Sequence, residues 1–273
     1  MTKKKRNILS KLYIGIIFTF LYAPIAVLIA YSFNDGKTSV WKGFTFRWYV
    51  ELFQDSSIMT ALYNTLIIAV LAAVISTILG TAAAIGIYNF KGTPRKLIQT
   101  VSNIPIINPE IVTGVSLMLL FTFLGRMLNF EMGFVTVLLS HVGFCTPYVI
   151  LSVTPKLRQM DNHVYEAALD LGCGQWQAFY KVVLFELLPG ILSGFLISFT
   201  YSLDDFVISY FTRGSKFQTL PIEIYTMLKK RISPKINALS AILFVVILTV
   251  LIITNIHDAR VEKRNKENHG GTV

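Results

Sequence analysis

Six runs of roughly 20 mostly apolar residues constrain this 273-residue chain more than any other feature. They fall at 12–33, 60–88, 104–124, 134–154, 189–211 and 236–256. Each is long enough to cross a hydrocarbon layer about 30 Å thick. Lipid offers no hydrogen bonds, so a chain crossing it must satisfy its own backbone N–H and C=O groups. A run of this length does so as a helix. The predicted fold class is therefore an all-α membrane protein of six transmembrane helices. Charged residues make up only 15% of the chain, against about a quarter in a soluble domain. The predicted organisation is a polar N-terminal tail (1–11), a membrane domain (12–256) and a polar C-terminal tail (257–273).

The N-terminal MTKKKRNILSKL has the charge of a signal peptide. The apolar run after it is longer than a signal core, and YSFNDGK follows in place of a small-x-small cleavage site, so an uncleaved first helix is expected. An even number of spans places both termini on one side. That side collects a majority of the 25 lysines and arginines, led by Lys3, Lys4, Lys5, Arg6 and Lys11, so both termini are expected in the cytoplasm. The KKR at 229–231 falls on the opposite side. The net charge of +10 sits at the chain ends and in loops, which suits lipid headgroups and gives no reason to expect nucleic acid. Cys145 and Cys173 fit no metal-ligand spacing. No nucleophile and base stand together, and no G-x-x-x-x-G-K-[ST] occurs, so neither catalysis, a metal nor ATP hydrolysis is expected of this chain.

Three carboxylates fall inside the predicted spans: Glu110, Asp204 and Asp205. No lysine or arginine does. Intramembrane charges are costly and pair with one another or face a water-filled path. With no cation among the spans, a transported cation is the expected partner. In SFTYSLDDFVISYF (198–211), a continuous helix would align Ser198, Ser202, Asp205 and Ser209 in one polar stripe, with Asp204 turned away beside Tyr201. Asp205 is thus the better path residue of the pair, with a water-bonded position at the outer interface as the alternative. Asn108-Pro109-Glu110 reads as a helix start, and Pro105 with Pro109 makes its approach irregular, as occurs where backbone lines a cavity. His141, in SHVGFCTP, is expected to be a hydrogen-bonded packing residue.

The loop at 155–188 is long and patterned. Asp161 to Leu171 favours a short helix with an N-cap, Gly172 and Gly174 end it, and a second helical stretch from Gln175 to Leu188 leads to Pro189, where the fifth span is expected to begin. Glu166-Ala167-Ala168, three residues, Gly172, nine residues, then Val182-x-Leu184 resembles the EAA loop of ABC-importer permeases. Val182 replaces the family's isoleucine, and Phe185 its proline.

The resemblance extends over nearly the whole chain. YAPIAVLIAYSFN, WKGFTFRWYVELF, SFTYSLDDFVISYFTRG and TLPIEIYTMLKKRISPKINALSAI are similar to the C-type permease subunits of spermidine/putrescine ABC importers. This resemblance implies a type I importer (MetI-like) architecture in a bacterial cell membrane and a polyamine cargo. It implies a second, B-type permease, an extracellular polyamine-binding protein, and a cytoplasmic ATPase dimer that uses ATP and Mg. It also implies that Glu166, Ala167, Ala168 and Gly172 couple the spans to the ATPase. Substrate-path roles fall on Tyr22, Trp48, Glu110, Ser202, Asp204 and Asp205. Carboxylates suit ammonium groups and aromatics suit methylenes and cation–π contacts. Tyr22 and Trp48 equally suit core and interfacial packing. Another cargo (sulfate, molybdate, ferric ion) or an ion-coupled transporter using Asp204, Asp205 and His141 are the alternatives.

Overall fold

The computed structural model describes residues 3–36, 40–230, 234–245 and 248–249, and these form helices joined by short connections. In chain order they are α1 (Lys3–Ser32), α2 (Arg47–Gln54), α3 (Ser56–Asn89), α4 (Thr93–Ile107), α5 (Glu110–Leu128) and α6 (Phe134–Gln159). Next come α7 (Asn162–Asp170), α8 (Gln175–Ala178), a π-helical turn (Phe179–Val183), α9 (Leu184–Asp204), α10 (Val207–Thr212) and α11 (Leu220–Lys230). A shorter apolar helix, α12, covers Pro234–Val245. Five helical segments are long and apolar enough to cross a membrane: Lys11–Ser32, Ser56–Asn89, Glu110–Leu128, Phe134–Gln159 and Gln175–Asp204. The sixth run predicted, 236–256, begins in α12 and continues outside the described residues, as does the tail at 257–273.

Three predicted boundaries are corrected. The third span starts at Glu110, and 104–107 belong to α4. Asn108 precedes a proline, which disfavours helical backbone; it is extended (φ −73°, ψ 134°), so α4 ends there. Pro189 does not open the fifth span but lies inside α9, which runs on from α8 through the π turn. The same span ends at Asp204 and not at 211, because Asp205 is extended (φ −62°, ψ 123°). No proline or glycine stands at that break. The Asp205 carboxylate instead accepts the backbone N–H groups of Ser209 (2.7 Å) and Ile208 (3.3 Å), offering α10 a partner that a helical carbonyl would otherwise supply.

The chain divides into two compact units, Met59–Glu223 and the pair of segments Met1–Ile58 and Ile224–Val273. In the first unit α6 packs along α9, while α10 lies against α5 and α6. Small residues permit the close approach. A Cβ at Gly190 would lie 3.0 Å from the Ser152 carbonyl, and one at Gly80 would lie 2.6 Å from the Val149 Cβ. Gly80→Val is therefore expected to cost about 1–3 kcal/mol by overpacking. The check is the melting temperature of the purified chain in detergent; an unchanged value contradicts the contact. Val149, Ile150, Val153 and Leu157 of α6 form one core with Ala84 and Ile87 of α3, Val183 of the π turn and Leu187 of α9. Tyr165 of α7 packs on the same core, which anchors the patterned loop to the spans.

In the second unit the turn after α1 is organised by Asn34. Its side chain accepts the Lys42 N–H (2.8 Å) and donates to the Val40 carbonyl (2.9 Å). Its own carbonyl accepts the Trp48 indole N–H at 2.7 Å. Lys235 lies 3.6 Å from Glu51 and 3.5 Å from Asp55.

Candidate functional site

One cavity of about 310 Å³ gathers all three intramembrane carboxylates, Glu110, Asp204 and Asp205. It lies in the unit Met59–Glu223, between the irregular α4–α5 junction and the α9–α10 break. Both discontinuities face it, as expected where non-helical backbone sits at membrane depth. Asn108 fixes the first by donating from Nδ2 to the Thr113 hydroxyl at 2.9 Å, which leaves Glu110 exposed on the opening turn of α5. Aromatic side chains form the walls. Tyr148 and Tyr201 have ring centroids 4.6 Å apart, and Phe144 and Phe206 complete the lining. The cavity is at the small end of the range for small-molecule sites.

The two aspartates sit in different surroundings, and not as a continuous helix would place them. The Asp205 side chain is 5% exposed and turned toward α6, where its Oδ2 lies 3.3 Å from His141 Nε2. It also carries the two backbone N–H groups of α10. Asp204 is exposed and lines the cavity. The continuous polar stripe therefore does not exist as such, because the helix breaks through it. Three of its members, Ser202, Asp205 and Ser209, still converge on His141, which is 1% exposed: Nδ1 is 2.6 Å from the Ser202 hydroxyl and Nε2 is 2.9 Å from the Ser209 hydroxyl. The internal partner of Asp205 is thus His141. Among the described residues no ion pair reaches Glu110 or Asp204.

The other expected path residues lie elsewhere. Ser202 is buried against His141 and does not line the cavity. Trp48 is 3% exposed, its N–H is bonded to Asn34, and the Arg47 guanidinium stacks 4.4 Å from its ring centroid. Tyr22 is half exposed on α1 and stacks on Phe18. Both belong to the second unit.

In the patterned loop, Asp161 caps α7 by accepting the His163 N–H at 3.0 Å. Gly172 ends the helix at φ +85°, where the Cys173 N–H reaches the Ala168 carbonyl and the Gly172 N–H reaches that of Leu169. Glu166 and Ala167 are exposed on α7; Leu171 and Trp176, on either side of the glycine turn, are 87% and 75% exposed. A short helix with a small, open face and apolar neighbours is suited to docking on another protein.

Residues 76–266 match the family model described as "Binding-protein-dependent transport system inner membrane component". The chain belongs to that family. The spermidine/putrescine transport system permease protein PotC of Shigella flexneri is 34% identical over 258 residues, spanning 94% of this chain and 95% of the relative. The putrescine transport system permease protein PotI of Escherichia coli K12 is 38% identical over 253 residues, 90% of this chain and 89% of the relative. The fold matches a chain from a bacterial ABC transporter involved in the import of the acidic polysaccharide alginate. The TM-score is 0.72 at 16% identity, covering 95% of this chain and 98% of that one.

Sequence reasoning missed Asn108, Phe144, Tyr148 and Phe206 as lining residues. Asn108 adjoins the irregular approach that Pro105 and Pro109 already marked, whereas Phe206 adjoins the α9–α10 break, which carries no such mark. Tyr201, three residues before Asp204 on the same helix, shares its face, and that spacing was visible. Phe144 and Tyr148 on α6 carried no local signal.

Proposed function

We propose that this permease is the transmembrane subunit of an ATP-driven polyamine importer and moves its cargo by alternating access. The observation that carries this is a pair of carboxylates, Glu110 and Asp204, open to one aromatic-walled cavity and held in no ion pair among the described residues. A polyamine is a chain of ammonium groups separated by methylenes. Carboxylates match the first, and the faces of Tyr148, Tyr201 and Phe206 match the second and add cation–π attraction. An anion such as sulfate would meet repulsion here. The polyamine names of the relatives point the same way.

The chain acts with a B-type permease, an extracellular polyamine-binding protein and a cytoplasmic ATPase dimer. ATP and Mg are used by the ATPase, and this chain carries no hydrolytic site of its own. Both termini lie in the cytoplasm, which puts the α7 loop beside the ATPase. Closure of the ATPase dimer would pull α7, and the shared core through Val183 and Leu187 would pass that movement to α6 and α9.

The test is uptake by the reconstituted importer of labelled spermidine and putrescine against labelled sulfate. Polyamine uptake driven by ATP and binding protein is expected. Sulfate uptake without polyamine uptake, or transport by the isolated chain without an ATPase, would overturn the proposal.

A further inference from the structure

We propose that His141 is a positioning residue for the transport path, latching the two halves of the broken fifth span so that Asp205 is held inward and Asp204 is left to the cavity. The break has no proline or glycine to enforce it, and the residues around it, Leu203 to Val207, would tolerate a continuous helix. Side-chain bonds hold it instead. His141 alone among the described residues bonds to both sides of the break. Nδ1 meets Ser202 on α9 at 2.6 Å, and Nε2 meets Ser209 on α10 at 2.9 Å. The same Nε2 faces the Asp205 carboxylate at 3.3 Å, and that carboxylate receives the Ile208 and Ser209 N–H groups in the first turn of α10. The arrangement is satisfied with Nδ1 accepting from the Ser202 hydroxyl and Nε2–H shared between the Ser209 hydroxyl oxygen and the Asp205 carboxylate. His141 and both serines are buried and the Asp205 side chain is 5% exposed, so water has little access to these bonds.

The consequence is geometric. His141 sits on α6, the same helix that carries Phe144 and Tyr148 into the cavity wall. By fixing α9 and α10 to α6, it fixes Asp204 and Phe206 relative to that wall. The residue touches no cavity-bound solute, since Asp205 and the two serines surround its polar atoms. Its effect on transport runs through the break.

The functional half of this proposal rests on the cavity being a cation path, so the experiment has one readout that does not. In the assembled importer with Cys173→Ser, Phe206→Cys introduces a thiol on the cavity wall. Its modification rate is measured with a cationic and an anionic methanethiosulfonate of similar size. Assembly is followed by co-purification with the partner chains, and uptake by KM and Vmax for spermidine. His141→Leu is expected to assemble, to change the modification rate at least threefold with both reagents, and to raise KM at least fivefold. His141→Gln, which keeps a donor near the Nε2 position, is expected to bring the rate back within twofold of the parent. His141→Leu combined with Asp205→Asn is expected to be no worse than the more damaging single change, as residues of one latch are not additive.

An assembled His141→Leu importer with unchanged thiol reactivity and KM overturns the proposal. So does loss of assembly in both the Leu and Gln variants, which would make His141 a packing residue only. If the parent importer takes up no polyamine but His141→Leu still alters thiol reactivity, the latch stands and the polyamine reading fails.

Discussion

Asp204→Asn is expected to raise the KM for polyamine uptake about thirtyfold, with the permease still assembling and purifying in normal yield. Asp204 is exposed on the cavity wall and has no described cation beside it. Removing one member of a close, partly desolvated charge pair costs about 2–5 kcal/mol. The cavity is open, so the lower end applies, and about 2 kcal/mol corresponds to roughly thirtyfold in affinity. Glu110→Gln should move KM in the same direction for the same reason. Asp205 supplies the contrast. Asp205→Ala removes the acceptor for the Ser209 and Ile208 N–H groups, in part-buried bonds, and the partner of the buried His141. Each orphaned buried donor costs about 1–3 kcal/mol, so the expected effect is low yield and a lowered melting temperature. Uptake kinetics and thermal melting of both variants decide it. A normal KM for Asp204→Asn would remove that carboxylate from the path. If Asp205→Ala melts normally and only KM rises, the roles of the two aspartates are the opposite of those inferred.

The contrast also marks what can be read from residues alone. Five predicted spans were legible because length and hydropathy suffice to choose a helix in lipid, and α1, α3, α5, α6 and α9 follow those runs. The short α7 was legible through its cap residue and the glycine after it, both of which act within a few residues of chain. Breaks inside the apolar runs were less so. Pro109 announces the α4–α5 break through the residue before it. The α9–α10 break has no local mark, since its cause is a carboxylate bonded forward to two backbone groups and sideways to a histidine 64 residues earlier. Helical spacing assumes an unbroken helix, so it assigned Asp205 to the path and Asp204 away from it.

For the site, the carboxylates were legible because an unpaired charge in lipid is costly and therefore conspicuous. The aromatic wall was not. In an apolar span Phe144, Tyr148 and Phe206 look like any residue facing lipid or core, and only their convergence on Glu110 and Asp204 distinguishes them. Ser202 was legible as polar, but its partner His141 was not, because that bond joins two helices 61 residues apart in sequence.

Ala167→Trp is expected to abolish coupling while leaving this chain's own stability within about 0.5 kcal/mol. Ala167 is exposed on α7, with Glu166 beside it and the Gly172 turn five residues on. A small residue on an exposed helix face lets a partner backbone approach closely; an indole there would hold the two surfaces apart by several ångströms. Ala167 is exposed, so folding and membrane insertion should be untouched. Movement would still pass from α7 through Tyr165 to Val183 and Leu187, but no partner would be seated to start it. The expected outcome is at least a tenfold fall in both uptake and the ATPase stimulation caused by loaded binding protein, with Ala167→Ser close to the parent. Measuring both rates in the same reconstituted importer separates coupling from path defects, because Asp204→Asn should be rescued by higher polyamine concentration and Ala167→Trp should not. Full ATPase stimulation in the tryptophan variant would mean that the ATPase docks elsewhere on the chain.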